Sequence, residues 1–207
     1  MNRHGRVLVA TRSRGKLREL APLLEEHGWE PVDLEMAGIP ERPAEEDGLE
    51  VAATFSENAL AKARHFHACS GLPTLSDDSG LVVDALGGAP GVHSKRWSGR
   101  PELSGAALDA ANNARLLKAL DGAASRAARY VCAAAWVDGG RELTTHGETA
   151  GRILEAAAGV EGFGYDPLFF SEELGASFGL VSREEKARVS HRARAVRALL
   201  KIVCAGS

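Results

Sequence analysis

The stretch Pro73-Thr74-Leu75-Ser76-Asp77-Asp78-Ser79-Gly80-Leu81-Val82-Val83 decides how this chain is read. A short apolar run leads in and a fuller one leads out. Between them lie two adjacent carboxylates, two hydroxyls and a glycine. The pattern predicts a strand, a tight acidic turn and a second strand. Neighbouring carboxylates at a strand end repel each other, and a hard cation such as Mg²⁺ is the usual offset. An ordinary Asp-rich turn, with side chains bonded to their own backbone, uses the same residues. The flanking sequence has to separate the two readings.

Upstream, residues 6–11 read as a buried strand. The loop Thr11-Arg12-Ser13-Arg14-Gly15-Lys16 follows, with two hydroxyls, a glycine and three cations. Behind it Leu17, Leu20, Ala21 and Leu24 form one helical stripe, ended by Gly28. Helix N-termini offer backbone N–H groups to anions, so the loop suits a phosphate cradle. It lacks the spacing of a Walker loop. A solvated turn with incidental charge is the plainer alternative. A strand is expected over residues 31–34, then a Pro-rich acidic loop over 38–49 with Glu41, Glu45, Glu46 and Asp47. One of these carboxylates could complete a cation site built on Asp78. Thr54 and Glu57 form a capping box that opens a helix to about Cys69. Its buried stripe is Phe55, Ala59, Ala63 and Phe66. Asn58 and Lys62 share another face, where they would pair with each other or with solvent.

Downstream, Gly87-Gly88-Ala89-Pro90-Gly91 is a rigid bend, and residues 104–120 form a helix closed by Gly122. Residues 130–137 and 141–148 read as a hairpin around Asp138-Gly139-Gly140-Arg141. The run 128–137 is apolar on both faces, as in a central strand. Glu161-Gly162-Phe163-Gly164-Tyr165-Asp166-Pro167 combines glycines that let backbone approach a ligand with rings that stack on planar bases; a turn with core aromatics would look the same. Ser182 and Glu185 are a second capping box before Lys186, and Ser190-His191-Arg192 opens the last helix. Cations are disfavoured at a helix N-terminus, so His191 and Arg192 there imply a local anion or polar ligand.

The chain has 207 residues, 44% of them hydrophobic, which suits one domain or two tightly joined lobes. A formal net charge of -3 exerts no general pull on nucleic acid or an anionic membrane. The cysteines Cys69, Cys132 and Cys204 are odd in number and far apart, as expected of reduced thiols in a cytoplasmic protein. His65, His67 and Cys69 do not share one helix face, which argues against a soft-metal site. The basic start (Arg3, His4, Arg6) precedes too short an apolar run for a signal peptide, and residues 130–137 fall far short of a membrane span.

In this order, the motifs resemble those of the XTP/dITP diphosphatases, the noncanonical purine nucleoside triphosphate pyrophosphatases that include inosine triphosphate pyrophosphatase. The landmarks are Thr11-x-Ser13-x-x-Lys16, Glu57-Asn58-Ala59 with Lys62, Asp77-Asp78-Ser79-Gly80-Leu81, Gly87 to Val92, Gly162 to Pro167, Glu184-Glu185-Lys186 and Ser190-His191-Arg192. They span essentially the whole chain. The resemblance implies one domain over residues 1–207 with an α/β fold: an elongated, twisted mixed β-sheet flanked by helices, in two lobes with a central nucleotide-binding cleft. It implies a cytoplasmic homodimer without nucleic-acid or membrane partners. The reaction is Mg²⁺-dependent hydrolysis of ITP, dITP and XTP to the monophosphate and pyrophosphate, which cleanses the nucleotide pool.

The same resemblance assigns roles. Asp78 binds Mg²⁺ and orients or deprotonates the attacking water, with Glu46 as the loop ligand and Glu41 behind it. Asp77 supports the metal site. Thr11, Arg12, Ser13, Arg14, Gly15 and Lys16 hold the phosphates. Ser79 donates to the nucleotide, and Lys186 reaches the phosphates or the base edge. Phe163, Gly164, Tyr165, Asp166, His191 and Arg192 read the base. A donor there bonds to the O6 acceptor of hypoxanthine or xanthine and faces the N6 donor of adenine unfavourably. Ser13 departs from the family's usual Asn, and the acidic loop is longer than usual. The septum-site pyrophosphatases, which act on pyrimidine or modified nucleotides, are the alternative enzyme; their Ser/Arg-rich first loop is echoed here, but residues 163–167 and 190–192 argue against them. A nucleotide-binding module without chemistry would have no need of Asp77-Asp78.

Overall fold

The computed structural model describes residues 4–205; Arg3 lies outside them. The chain runs β1 (Gly5–Val9), α1 (Arg14–Glu26), β2 (Trp29–Val32), α2 (Pro43–Glu46), α3 (Phe55–Ser70), β3 (Thr74–Val83), α4 (Gly105–Ala119), β4 (Ala127–Asp138), β5 (Arg141–Ile153), β6 (Phe169–Ser171), β7 (Ala176–Ser177), α5 (Arg183–Val189) and α6 (His191–Ala205). The strands form a seven-stranded sheet in the order β2-β1-β3-β4-β5-β6-β7. It is mixed: β1 is parallel to β2 and β3, while β6 is antiparallel to β5 and β7. The α/β class therefore holds.

The chain divides into two compact units. Of the described residues, the first comprises 4–78, 132–147 and 192–205; the second comprises 79–131 and 148–191. In the first unit the period of two in β1 sets the layers. Val7 and Val9 pack with the stripes of α1 (Leu20, Leu23, Leu24) and α6 (Val196, Leu199, Leu200, Val203). Leu8 and Ala10 point the other way, against Phe66 of α3. Strand β4 repeats this, with Cys132, Ala134 and Trp136 toward α1 and α6, and Ala133, Ala135 and Val137 toward α3. That is why residues 132–137 are apolar at every position. The second unit has its own core, built on Leu81, Leu116, Tyr130, Ile153, Phe169 and Phe178.

One expectation fails. Residues 76–80 are not a turn between two strands; they lie inside the single strand β3, and both carboxylates are buried. Local turn preference lost to tertiary context, because flanking helices supply partners for every charge, as described below. Smaller differences follow known rules. Ser13 caps α1, so Arg14, Gly15 and Lys16 form its first turn rather than the end of a loop. At α3 the box is partial: Thr54 Oγ1 accepts from Glu57 N–H, but the Glu57 carboxylate takes the Thr54 hydroxyl rather than the cap backbone. The Ser182–Glu185 box is complete. The acidic loop folds as α2 followed by a 3-10 turn, Asp47–Glu50. The short strands β6 and β7 had no recognisable period and were not expected.

The turn between β4 and β5 is held by one side chain. Asp138 Oδ1 accepts from the Gly140 and Arg141 N–H groups at 3.1 and 2.9 Å, and Oδ2 from Trp136 Nε1 at 2.9 Å and Arg141 Nη2 at 2.9 Å. Partial burial pushes this carboxyl up, but the Trp136 and Arg141 bonds outweigh it and bring it down to about 2. An unfolded Asp titrates near 3.9, so the native state holds fewer protons and the stabilisation is complete above about pH 4 and lost as pH falls toward 2. Asp138→Asn should therefore cost about 1 kcal/mol at neutral pH, discounted for screening, and nothing near pH 2. Urea midpoints of parent and variant across that range test this; a gap independent of pH would refute it.

Candidate active site

In the first unit the neighbouring carboxylates of β3 point to opposite faces, as strand geometry requires. Asp77 has no exposed surface. Its Oδ2 accepts from Arg192 Nε at 2.9 Å and lies 3.2 Å from Lys16 Nζ. The Cys132 thiol donates to the same oxygen at 3.9 Å. Arg192 also pairs with Glu19 of α1. On the other face Asp78 Oδ2 accepts from Asn58 Nδ2 of α3 at 2.9 Å, and Asn58 Oδ1 takes the Ala52 N–H at 2.9 Å. Lys62, one helical turn beyond Asn58, donates to the Asp77 carbonyl at 2.6 Å and to Glu50 Oε1 at 2.5 Å. Asn58 and Lys62 thus pair with the acidic strand and its loop, not with each other.

The two carboxyls titrate in opposite directions. Burial alone would raise Asp77, but Lys16, Arg192 and Lys62 together hold it far below the usual carboxylate range. Asp78 is raised, first by burial and then by Glu50, against the pull of Lys16, Lys62 and Asn58. Burial disfavours the charge on Lys62, yet Glu50, Asp77 and Asp78 outweigh it and raise its affinity for the proton. The Arg192 guanidinium behaves likewise between Asp77 and Glu19. Adjacent groups with opposed shifts mark an assignment of roles. Asp77 is a permanent anion; Asp78 is the better proton acceptor.

The first loop is ordered by its own hydroxyls. Thr11 Oγ1 accepts from Ser13 N–H at 3.1 Å, and Ser13 Oγ caps Lys16 N–H at 3.3 Å. The first turn of α1 contains Arg14, Gly15 and Lys16 and no acid, which leaves a helix N-terminus suited to an anion. Arg14 is exposed. Arg12 is turned toward the acidic loop: it holds both oxygens of Glu46, at 3.0 and 2.7 Å, and the carbonyls of Ile39 and Pro40. Glu46, expected at the metal, is thereby committed to Arg12, whose hydrogen bond lowers its carboxyl. The loop glutamate in electrostatic reach of Asp78 is Glu50, four residues later. The carboxylates of Asp78 and Glu50 are hard oxygen donors, and Mg²⁺ takes one or two carboxylates and completes its shell with phosphate and water. Among the described residues no cluster of three or more His, Cys, Asp or Glu side chains forms a closed cage. The donor set fits Mg²⁺ on that chemistry.

The second unit holds a separate cluster. Asp166 is 2% exposed; its Oδ2 accepts from Lys186 Nζ at 2.6 Å and from Phe163 N–H at 2.8 Å, and its Oδ1 from the Tyr130 hydroxyl at 3.3 Å. A Cβ on Gly162, whose φ is +77°, would meet Asp166 Oδ2 at 2.1 Å, so the carboxylate requires that glycine. Lys186 Nζ lies 5.0 Å from the Phe163 ring centre and 5.3 Å from that of Phe178. His191 stacks on Tyr130 with centroids 4.5 Å apart. The Tyr165 hydroxyl donates to the Ser94 carbonyl at 2.8 Å, and burial raises its pKa. Ser79 continues β3, half-buried. The structure thus gathers Phe163, Asp166, Lys186 and His191 in one unit, and Lys16, Asp77, Asp78 and Arg192 in the other. Sequence reading passed over Glu19, Glu50 and Tyr130. Asn58 carried a signal: it shares a polar face of the helix with Lys62, and the structure buries both.

Removing one partner of a buried charge pair strands the other. Arg192→Leu should lower stability by about 3 kcal/mol, and adding Asp77→Asn should recover part of the loss. Denaturant unfolding of the two variants and the double variant checks this; strictly additive losses would show that Asp77 and Arg192 do not depend on each other.

Comparison with known proteins places these residues in context. The chain is 49% identical over 195 residues to a dITP/XTP pyrophosphatase of Syntrophobacter fumaroxidans, covering 93% of this chain and 79% of the relative. It is 48% identical over 200 residues to one of Geobacter sulfurreducens, covering 95% and 94%. A solved HAM1 protein from Coxiella burnetii superposes with a TM-score of 0.80 at 32% identity, over 96% of this chain and 98% of that one. A nucleoside-triphosphatase or dITP/XTP pyrophosphatase structure from Mycobacterium abscessus gives 0.69 at 43% identity, over 94% and 98%. The Ham1 family model matches residues 7–202, so the chain belongs to the Ham1 family.

Proposed function

We propose that this protein hydrolyses the noncanonical purine nucleoside triphosphates ITP, dITP and XTP between the α and β phosphates, releasing the monophosphate and pyrophosphate. The observation that carries this reading is the Asp77-Asp78 pair: one carboxylate fixed as an anion among cations, its neighbour raised toward a proton acceptor. The names of the pyrophosphatase relatives support it. As water cleaves the anhydride, its proton passes to Asp78, held in place by Asn58. Lys16, Lys62 and the first turn of α1 meet the phosphate charge. Asp77 fixes Lys16 and Arg192 through its carboxylate and Lys62 through its carbonyl. Asp78 and Glu50 hold Mg²⁺, which when bound neutralises phosphate charge as it shifts during cleavage. Base recognition belongs to Phe163, Lys186 and His191, whereas Arg192, paired with Asp77 and Glu19, supports the acidic strand. A donor there donates to O6 and rejects the adenine N6 donor, since an unmatched buried group costs about 1–3 kcal/mol. Homodimeric assembly follows the family expectation. A cytoplasmic site of action is supported by the nucleotide substrate and by cysteines that are thiols; no described helix is long and apolar enough to cross a membrane.

The test is pyrophosphate release with Mg²⁺ from ITP, dITP, XTP, GTP, ATP and dTTP. The parent should prefer the first three, and Asp78→Asn should lose about 100-fold or more in kcat. Preference for dTTP would favour the septum-site type of pyrophosphatase. Nucleotide binding without release, unchanged in Asp78→Asn, would make the protein a binding module.

A further inference from the structure

Helix α4 carries two polar residues, Asp109 and Asn113, spaced to share one face. Both reach the same residue of the aromatic loop. Asp109 Oδ2 accepts from the Gly164 N–H at 2.8 Å, and Asn113 Nδ2 donates to the Gly164 carbonyl at 2.9 Å. One helical turn therefore holds both backbone groups of the residue that follows Phe163. Gly164 has φ +65°, a region open to glycine, and glycine has the widest choice of alternative conformations when nothing anchors it.

The neighbouring residues are tied as well. Phe163 N–H is bonded to Asp166, and the Tyr165 hydroxyl to the Ser94 carbonyl. Helix α4 is itself a firm support. Leu116 is fully buried, and the Asn112 side chain accepts from Ser98 N–H at 2.7 Å and donates to the Lys95 carbonyl at 3.0 Å. With the backbone held on both sides of it, the Phe163 ring keeps its place beside Lys186.

We propose that Asp109 and Asn113 are positioning residues for base recognition, acting through Gly164 to hold Phe163 in the geometry that selects the purine. This rests on the hydrolase reading above. Loss of either anchor lets the loop sample other conformations, so the base is bound less tightly and less selectively. The phosphate chemistry, which belongs to other residues, continues.

The experiment compares the parent with Asp109→Ala, Asn113→Ala and Asp109→Asn, using ITP and GTP as substrates and inorganic tripolyphosphate as an inhibitor that has no base. In Asp109→Ala the KM for ITP should rise about tenfold, with kcat within about twofold of the parent. The ITP-to-GTP ratio of kcat/KM should fall, and inhibition by tripolyphosphate should match the parent. Asp109→Asn, whose Oδ1 still accepts, should restore the parent's KM. An unchanged KM and ratio in folded Asp109→Ala would overturn the proposal. So would equal losses in KM, kcat and tripolyphosphate inhibition, which a merely structural role predicts. If Asp109→Ala does not fold, the same measurements on Asn113→Ala decide. A parent that releases nothing from ITP sinks the hydrolase reading alone; binding of inosine monophosphate by the same variants then decides the role of Asp109 and Asn113.

Discussion

A carboxylate buried in the middle of a strand is stable only if its charge is met on every side. Asp77 sets that condition for the whole first unit. Helix α1 must deliver Lys16, α6 must deliver Arg192, and α3 must bring Lys62 to the carbonyl of the same residue. Arg192 in turn needs a second anion, which α1 supplies as Glu19. The registers of three helices are thus tied to one residue. Apolar residues of similar volume could pack the same space at no loss, and often with a gain. A charged set in this position is better explained by what it does to its neighbours than by what it adds to stability.

What it does is separate two adjacent carboxylates by environment. Asp77 and Asp78 are joined by one peptide bond, yet strand geometry sends them to different faces and different partners. The cations on one face keep Asp77 ionised. On the other, burial and Glu50 raise Asp78, and the pull of Lys16 and Lys62 with a hydrogen bond from Asn58 only moderates the shift. The same logic explains Arg192 at the start of α6. A cation there opposes the helix dipole by about 0.3–1 kcal/mol, far less than the attraction of two buried carboxylates. The anion that the sequence implied at this helix end is supplied by the chain itself.

Much of this fold was legible before any coordinates. Apolar periodicity marked α1, α3, α4 and α6, the two hydroxyl caps opened α3 and α5, and unbroken apolarity identified β4 as a central strand. The acidic stretch was misread because turn preference is local, whereas the partners that make a strand possible come from residues 16, 62 and 192. Side-chain commitments were harder still. Glu46 and Glu50 are four residues apart in an acidic loop, and only the fold shows that one meets Arg12 and the other Lys62. Asp109 and Asn113 looked like ordinary polar positions of α4, since nothing in their spacing names the glycine they hold. Lys186 and Asp166 were each legible as functional, but their pairing was not, because a sequence shows which residues are charged and not which charges meet.

The serine at position 13 shows how a departure from a family pattern can be absorbed. An N-cap needs one oxygen acceptor at short reach, and Ser, Asn and Asp serve almost equally. Ser13 fulfils that need toward Lys16 N–H, so the helix end survives the loss of an amide. Its neighbour Arg12 then braces the loop from outside. It spans the Ile39 and Pro40 carbonyls and the Glu46 carboxylate, with its guanidinium 5.8 Å from the Phe66 ring centre. Glu46 also accepts from the Arg42 N–H at 3.0 Å, which closes the start of α2. The 3-10 turn that carries Glu50 follows directly. The placement of Glu50 beside Lys62 and Asp78 therefore depends on a cation of the phosphate loop that need not touch phosphate at all. In this chain the cradle and the acidic loop are one mechanical piece, joined through Arg12.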